Sequence, residues 1–256
     1  MTKSSPAGGI AREKLQQDGQ SLKWLILELE TAYINKTRTA QMWESTMDSI
    51  IKKLENFRVV PVVNIDDAKD ALSLGQALIK GGLPIIEITF RTAAAAETIA
   101  RLSYELPDIC VGAGTVLTID QVNQSIDAGA RFIVAPGFNP RIVDYCIDRN
   151  IPIFPGVNSP TQVEMGLERN LEVLKFFPAE ASGGLKMLKA MAAPYSDVRF
   201  MPTGGININN LKDYLAFDRI VACGGTWLAT KALINDNRFD EITRLVQEVV
   251  KTTQQI

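Results

Sequence analysis

The 256-residue chain contains no histidine. Histidine is the usual general base, the commonest zinc ligand and a member of the common catalytic triads. Its absence argues against zinc-type aldolases, His-based sugar-phosphate isomerases and Ser-His-Asp hydrolases. Any acid–base chemistry in this chain therefore falls to Glu, Asp, Lys, Tyr or water, and we expect neither a bound metal nor a cofactor.

Cysteine is also scarce, and no two cysteines have the CxxC spacing of a redox or zinc motif. Two of the three lie in apolar, strand-like runs, so reduced core thiols in a cytoplasmic protein are the simplest interpretation. The three residues are Cys110, Cys146 and Cys223.

The chain lacks a long basic run, a secretory leader pattern and a long apolar segment. Its formal net charge is −2, which makes a nucleic-acid partner or a polybasic membrane surface improbable. The apolar stretch Leu22–Leu29 is too short to span a bilayer and contains Lys23 and Glu28. We therefore expect neither a membrane nor a nucleic acid as partner.

From about residue 58 onward, short apolar runs alternate with amphipathic segments. Eight strands in βα alternation predict an α/β fold, a (β/α)8 TIM barrel over residues 47–256, with a doubly wound open sheet as the alternative. The barrel is preferred because polar residues follow many strands, where such barrels have their active sites. The predicted strands are Arg58–Asn64, Ile85–Thr89, Ile109–Ala113, Phe132–Ala135, Ile153–Pro155, Val173–Phe177, Arg199–Thr203 and Ile220–Cys223.

Amphipathic segments between these strands predict the outer helices. One longer helix, about Leu228–Thr252, is predicted to close the chain. The others include Asp66–Lys80, Ala93–Glu105, Ile119–Ala128, Pro140–Arg149 and Asn210–Leu215.

Residues 1–46 do not share this alternation and are predicted to form an extra N-terminal segment, partly flexible, with one amphipathic helix. The helix is predicted to begin near Ser21, a good N-cap, and to carry an apolar stripe that ends near Tyr33. It could pack on the barrel or drive oligomerisation and docking. The segment could also precede a natural start at Met42 or Met47.

Lys175 lies within an apolar run that reads as a buried strand. A lone buried ammonium is unfavourable, so the group either finds a partner or gives up its proton, and a neutral lysine amine is a nucleophile toward carbonyl groups. The alternative is a strand-end lysine that extends its ammonium to solvent. With no histidine available, a Schiff-base lysine assisted by a carboxylate remains open.

Glu87 lies on the predicted strand Ile85–Thr89, and Arg91 lies two residues beyond its end. Side chains alternate between faces along a strand, so Glu87, Thr89 and Arg91 share one side. The two charged groups could be a structural pair, or a general base and a bidentate clamp for a carboxylate. Thr115 follows the next strand, in a glycine-rich turn that could equally be purely structural.

Three Gly-Gly pairs follow the last three predicted strands. Loops after strands seven and eight of such barrels are the usual phosphate site, because backbone N–H groups there bind anions. The two pairs in that position lie in Thr203-Gly204-Gly205 and Gly224-Gly225-Thr226.

Five motifs together resemble the 2-keto-3-deoxy-6-phosphogluconate (KDPG) aldolases, a family that also acts on 4-hydroxy-2-oxoglutarate (KHG). The resemblance covers about Ser49 to the C-terminus. The motifs are Glu87-Ile88-Thr89-Phe90-Arg91-Thr92, Gly112-Ala113-Gly114-Thr115, Lys175-Phe176-Phe177-Pro178-Ala179-Glu180, Pro202-Thr203-Gly204-Gly205 and Gly224-Gly225-Thr226-Trp227.

The resemblance implies a class I aldolase that cleaves KDPG to pyruvate and glyceraldehyde 3-phosphate, or KHG to pyruvate and glyoxylate. It implies that Lys175 forms the Schiff base and that Glu87 moves protons through water. The family commonly has serine where this chain has Thr226, and Ala135 also stands where serine is expected. The further implied roles are Arg91 and Thr115 on the pyruvyl carboxylate, Pro136 and Phe177 as the pocket wall, and Gly204, Gly205 and Thr226 on the phosphate.

The resemblance also implies a homotrimer that acts on a small keto acid. A larger assembly, formed through the N-terminal helix, remains an alternative. Two alternatives compete with this interpretation. One is another Schiff-base keto-acid lyase on the same barrel. The other is a trimeric assembly scaffold, motivated by the unmatched residues 1–46.

Overall fold

The computed structural model describes residues 41–255. The N-terminal helix predicted from Ser21 lies outside the described residues. The chain divides between Ser45 and Thr46 into two units, and every strand of the described residues belongs to the second. The first described helix, α1, covers residues 41–57 and was not predicted from the sequence. The helical spacing of the buried residues Ile50, Ile51 and Leu54 was the pattern that could have predicted it.

Nine short strands and nine further helices follow in the described residues. The strands are β1 Val59–Val63, β2 Ile85–Thr89, β3 Cys110–Gly114, β4 Phe132–Val134, β5 Ile153–Phe154, β6 Gly156–Val157, β7 Val173–Phe176, β8 Arg199–Pro202 and β9 Cys223–Gly225. The helices are α2 Ala71–Gly81, α3 Ala95–Glu105, α4 Ile119–Asp127, α5 Pro140–Asp148, α6 Pro160–Leu167, α7 Gly184–Ala192, α8 Leu211–Leu215, α9 Lys231–Asn235 and α10 Phe239–Thr253. Two 3-10 turns, Ala68–Asp70 and Glu180–Ser182, complete the described elements.

All strand pairings are parallel, which confirms the predicted α/β class. One sheet has the order β5-β4-β3-β2-β1-β9 and a second the order β6-β7-β8. Only Pro155 separates β5 from β6, so the predicted fifth strand is present but interrupted. At the other side, isolated bridges join Phe200 to Ile220 and Thr203 to Gly224. The carboxyl ends of these strands therefore lie at one end of a curled sheet, where active sites of such folds lie.

The predicted long helix Leu228–Thr252 is wrong, because this segment forms two helices. Thr230 caps α9 through a bond from the Leu233 N–H, and α9 ends before Asn237, whose φ of 55° is left-handed. A left-handed residue cannot continue a right-handed helix. The second helix, α10, packs on α2, where Val246 fills the space beside Gly81 and Thr243 donates to the Ala77 carbonyl.

Register decides which side chains share the inner face of the curled sheet. Val62 pairs with Glu87, and Lys175 pairs with Met201. Paired residues of parallel strands point to the same side, and alternate residues follow them. Glu87 and Thr89 thus share a face with Val62 and Asn64.

Candidate active site

Lys175 and Glu87 meet as a buried ion pair. The Lys175 Nζ lies 3.6 Å from Glu87 Oε1, and the two residues are 4% and 1% exposed. Lys175 comes from β7 and Glu87 from β2, which belong to different sheets. Partial desolvation of both groups strengthens their interaction and keeps water from competing for the amine. The two residues singled out in sequence are therefore brought together.

Glu87 occupies space that exists because residue 114 is glycine. A Cβ at position 114 would lie 2.1 Å from Glu87 Oε1 and 2.6 Å from its Cγ. Neither carboxylate oxygen of Glu87 has a hydrogen-bond partner among the described residues. Buried carboxylate oxygens normally accept hydrogen bonds, so this carboxylate is free to exchange protons with a bound molecule.

Phe177 lies beside the lysine, and Pro136 lies against the neighbouring strand β6. The Lys175 Nζ lies 5.2 Å from the centroid of the Phe177 ring, within the range of a cation–π contact. Gly156 pairs with Lys175, and a Cβ at Gly156 would lie 2.1 Å from the Pro136 carbonyl oxygen. Pro136 is thus one strand away from the lysine, and it also lines a cavity of about 370 Å³ with Val116 and Phe138.

Gly204 and Gly205 form a left-handed turn directly after β8. Their φ angles are 102° and 83°, which L side chains rarely adopt. In the described residues, the N–H groups of Gly205 and Thr226 donate to no protein acceptor. Two free N–H groups beyond adjacent strand ends make a site suited to an anion.

Arg91 and Thr226 line one cavity of about 360 Å³ beyond β1, β2 and β9. Asn64 and Lys231 line it too, and Asn64 Oδ1 is buried without a hydrogen-bond partner among the described residues. Lys231 pairs with Asp66 at 2.6 Å. Sequence reasoning missed Asn64, although its position at the end of a predicted strand was the available signal.

Thr115 lies apart from that cavity. It follows β3 next to Gly114 and has a left-handed φ of 57°. Among the described residues no hydrogen bond joins it to Arg91, although the resemblance places both on one carboxylate. Arg91 is exposed and lies in the turn after β2, so its long side chain reaches the cavity from the rim.

The three cysteines are buried and free. Burial raises the pKa of the Cys110 and Cys223 thiols and raises that of Cys146 to about 12. They are therefore poor nucleophiles at neutral pH. In the part of the chain that is described, no cluster of His, Cys, Asp and Glu suited to a metal ion occurs, and no helix could cross a bilayer.

The parallel strands alternate with helices, and a buried lysine–carboxylate pair joins two of these strands. These features define the class as an α/β enzyme with a TIM-barrel-like fold. The model of the family "Aldolase: KDPG and KHG aldolase" matches residues 50–245. The chain belongs to this family of lyases.

Curated relatives agree. The chain is 52% identical over 205 residues to the 2-dehydro-3-deoxy-phosphogluconate aldolase of Haemophilus influenzae, covering 80% of this chain and 97% of that protein. It is 38% identical over 209 residues to the KHG/KDPG aldolase of Escherichia coli K12, covering 82% and 97%.

Among solved structures, the KDPG aldolase of Legionella pneumophila, with pyruvate captured as a covalent carbinolamine intermediate, is 38% identical. Its TM-score is 0.73, over 75% of this chain and 93% of that one.

Proposed function

We propose that this chain cleaves KDPG to pyruvate and glyceraldehyde 3-phosphate, or KHG to pyruvate and glyoxylate, through a Schiff base on Lys175. The observation that carries the proposal is the buried Lys175–Glu87 pair, with Nζ 3.6 Å from Oε1. A lysine amine and a proton carrier at this separation are the two groups that Schiff-base formation needs. Family membership and the named relatives support this choice of substrates.

In the proposed reaction, the neutral Lys175 amine adds to the C2 ketone and forms a carbinolamine. Glu87 moves the protons, directly or through water, so that hydroxide leaves as water and a protonated imine remains. Glu87, directly or through water, then takes the proton of the C4 hydroxyl, and the C3–C4 bond breaks. Its electron pair flows into the imine, which releases the aldehyde and leaves a pyruvate enamine. Protonation at C3 and hydrolysis free pyruvate and restore the amine.

The two ends of the substrate need separate anchors. We assign Arg91 and Thr115 to the pyruvyl carboxylate, since the guanidinium can bind it in a bidentate manner. Pro136 and Phe177 line the pocket at the reacting carbon. The phosphate falls to Gly204, Gly205 and Thr226, and the free N–H groups of Gly205 and Thr226 support this. Arg91 shares the cavity with Thr226, so it could also contact the distal half of the substrate.

Intact-mass analysis after incubation with pyruvate and borohydride tests the proposal. We expect one stable adduct per chain, mapping to Lys175, and none in Lys175→Met. Lys189 is the internal control and should stay unlabelled. Its ammonium also lies over an aromatic ring, 5.4 Å from the Phe217 centroid, but the buried carboxylate of the described residues, Glu87, pairs with Lys175. An adduct spread over surface lysines, or none at all, would refute the Schiff-base assignment.

We further propose that residues 47–256 form a closed eight-stranded barrel, that residues 1–46 are a separate segment, and that the protein is a cytoplasmic homotrimer. The single-residue break between β5 and β6, and the bridges from Phe200 to Ile220 and from Thr203 to Gly224, support closure. Solution mass of the full chain, compared with a chain that starts at Gln41 and so retains α1, tests the assembly. Trimers in both are expected, and a monomer would contradict the proposal.

A further inference from the structure

The segment after β7 ties the lysine strand to the glycine turn after β8. The Thr203 N–H donates to the Phe176 carbonyl at 2.9 Å, and the Ala179 N–H returns a bond to the Thr203 carbonyl at 2.8 Å. The Glu180 N–H then donates to the Gly204 carbonyl at 3.0 Å. The turn at Gly204 and Gly205 is therefore held by the short segment that follows β7.

The Glu180 side chain adds a second constraint on this turn. Gly205 rests on the aliphatic stem of Glu180, because a Cβ at residue 205 would lie 2.6 Å from Glu180 Cβ and Cγ. The carboxylate above that stem accepts a hydrogen bond from the hydroxyl of Tyr214. Tyr214 is 1% exposed and lies on α8. A rigid tyrosine in the core thus fixes an otherwise exposed glutamate.

Gly184 shows how closely this pair fits its surroundings. It begins α7 with a left-handed φ of 63°, and a Cβ there would lie 3.0 Å from Glu180 Oε1 and 3.4 Å from the Tyr214 hydroxyl. Burial, and then the bond to Glu180, raise the pKa of Tyr214. The hydroxyl therefore stays protonated and remains a donor across the physiological range.

We propose that Glu180 and Tyr214 are positioning residues that hold the Gly204–Gly205 turn in the conformation that binds the phosphate end of the substrate, without touching that phosphate. This rests on the proposed function. If so, the Glu180–Tyr214 pair sets the enzyme's preference for a phosphorylated over an unphosphorylated keto acid. Lys175 and its reaction with pyruvate lie outside its influence.

Tyr214→Phe is the decisive variant, because it removes one hydroxyl and keeps the buried ring. We expect KM for KDPG to rise about threefold to tenfold, the range expected for one lost hydrogen bond, with kcat within twofold. KM for KHG, which lacks phosphate, should not change. Inorganic phosphate should inhibit KHG cleavage by the wild type and should inhibit this variant about threefold to tenfold more weakly.

The matched control is Tyr195→Phe, which breaks another tyrosine–glutamate bond, from Tyr195 Oη to Glu164 Oε1 at 3.0 Å, away from the turn. It should leave both KM values and phosphate inhibition unchanged. Glu180→Gln should stay near wild type, because its amide oxygen still accepts from Tyr214. Glu180→Leu should raise KM for KDPG as much as Tyr214→Phe does. The double variant, with both substitutions, should raise it no further, because the same hydrogen bond is lost in all three.

Equal losses for KDPG and KHG in Tyr214→Phe would mean a merely structural role and would overturn the proposal. So would unchanged phosphate inhibition, or a wild type that inorganic phosphate does not inhibit. Pyruvate–borohydride labelling of Lys175 separates the two levels. Failure to label the wild type refutes the proposed function, whereas normal labelling with unaltered phosphate dependence refutes the positioning role alone.

Discussion

The carboxylate of Glu87 lies where a side chain of residue 114 would be, with Oε1 only 2.1 Å from the ideal Cβ position of Gly114. The two residues belong to neighbouring strands, β2 and β3. The absence of a side chain at 114 therefore gives Glu87 its place beside Lys175. Among the described residues, the Glu87 carboxylate is positioned by backbone spacing and not by a hydrogen bond.

Gly114→Ala should therefore impair catalysis more than folding. The added methyl group would push the Glu87 carboxylate away from Lys175, and misplacing an acid–base group forfeits much of its contribution, about 10²–10⁴-fold in rate. We expect kcat to fall at least tenfold. The control is Gly137→Ala, an exposed glycine whose added methyl would meet no atom within 4 Å. Equal kcat in the two variants would disprove the relationship.

Glu87→Gln should separate imine formation from turnover. The amide keeps the shape but cannot carry protons, so kcat should fall by about 10²–10⁴-fold. Borohydride trapping of pyruvate on Lys175 should still occur, more slowly. Steady-state kinetics and a trapping time course measure the two effects. A kcat within twofold of wild type would remove Glu87 from the mechanism.

Lys175→Met should abolish turnover and also lower stability. The change leaves the Glu87 carboxylate buried without its cation, and breaking a buried pair costs about 3–5 kcal/mol. Adding Glu87→Gln should restore part of the lost stability but none of the activity. Urea unfolding of the two variants at neutral pH checks this. A double variant less stable than Lys175→Met would show that the pair does not act as a unit.

Burial of Cys146 should make stability depend on pH in the alkaline range. Its folded pKa is about 12, whereas an unfolded thiol ionises near about 8.5. Above that value the unfolded chain releases a proton that the folded chain keeps, so the free energy of unfolding falls as pH rises toward 12. At pH 9.5 the loss from this thiol alone should be about 1.4 kcal/mol relative to pH 7.5.

Urea midpoints of wild type and Cys146→Ala at these two pH values measure that loss. The variant has a lower baseline stability because a buried group is removed, but its difference between the two pH values should be smaller by about 1.4 kcal/mol. The same pH difference in both proteins would show that Cys146 does not titrate as its burial requires.

Thr118 should contribute more to the free energy of unfolding than Ser159, although both residues precede a helix. The Thr118 hydroxyl accepts from the Gln121 N–H at 3.1 Å and caps α4, whereas Ser159 makes no such bond before α6. Thr118→Ala should lower the free energy of unfolding by about 1 kcal/mol. Ser159→Ala should change it by only a few tenths. Similar losses in the two variants, measured by urea unfolding, would contradict the capping assignment.

Several strands could be predicted nearly to the residue from local pattern. The run Ile85–Thr89 forms β2 with the same bounds, and Val173–Phe177 contains β7. These runs are short, apolar and bounded by polar residues or turns, so local signals suffice. The interruption at Pro155 and the shift of the last strand to Cys223–Gly225 depend on pairing with neighbours, which sequence does not display.

The final helix shows how periodicity can mislead. Apolar spacing over Leu228–Thr252 continues across the break, so the pattern predicted one helix. The left-handed Asn237 and the cap at Thr230 divide it. An asparagine adopts this conformation more easily than most residues, and that was the available but unused signal.

The chemical groups of the site could be read from the chain: no histidine, one lysine in a buried strand, one glutamate in another, and glycine pairs after the last strands. These follow from residue type and local spacing, which do not depend on the fold. Which of these groups meet depends on long-range packing. Lys175 reaches Glu87 across 88 positions, Gly114 admits the carboxylate, and Tyr214 fixes Glu180 beneath Gly205. Such distances arise when strands curl and pair, because non-local packing, and not local preference, sets the register between them.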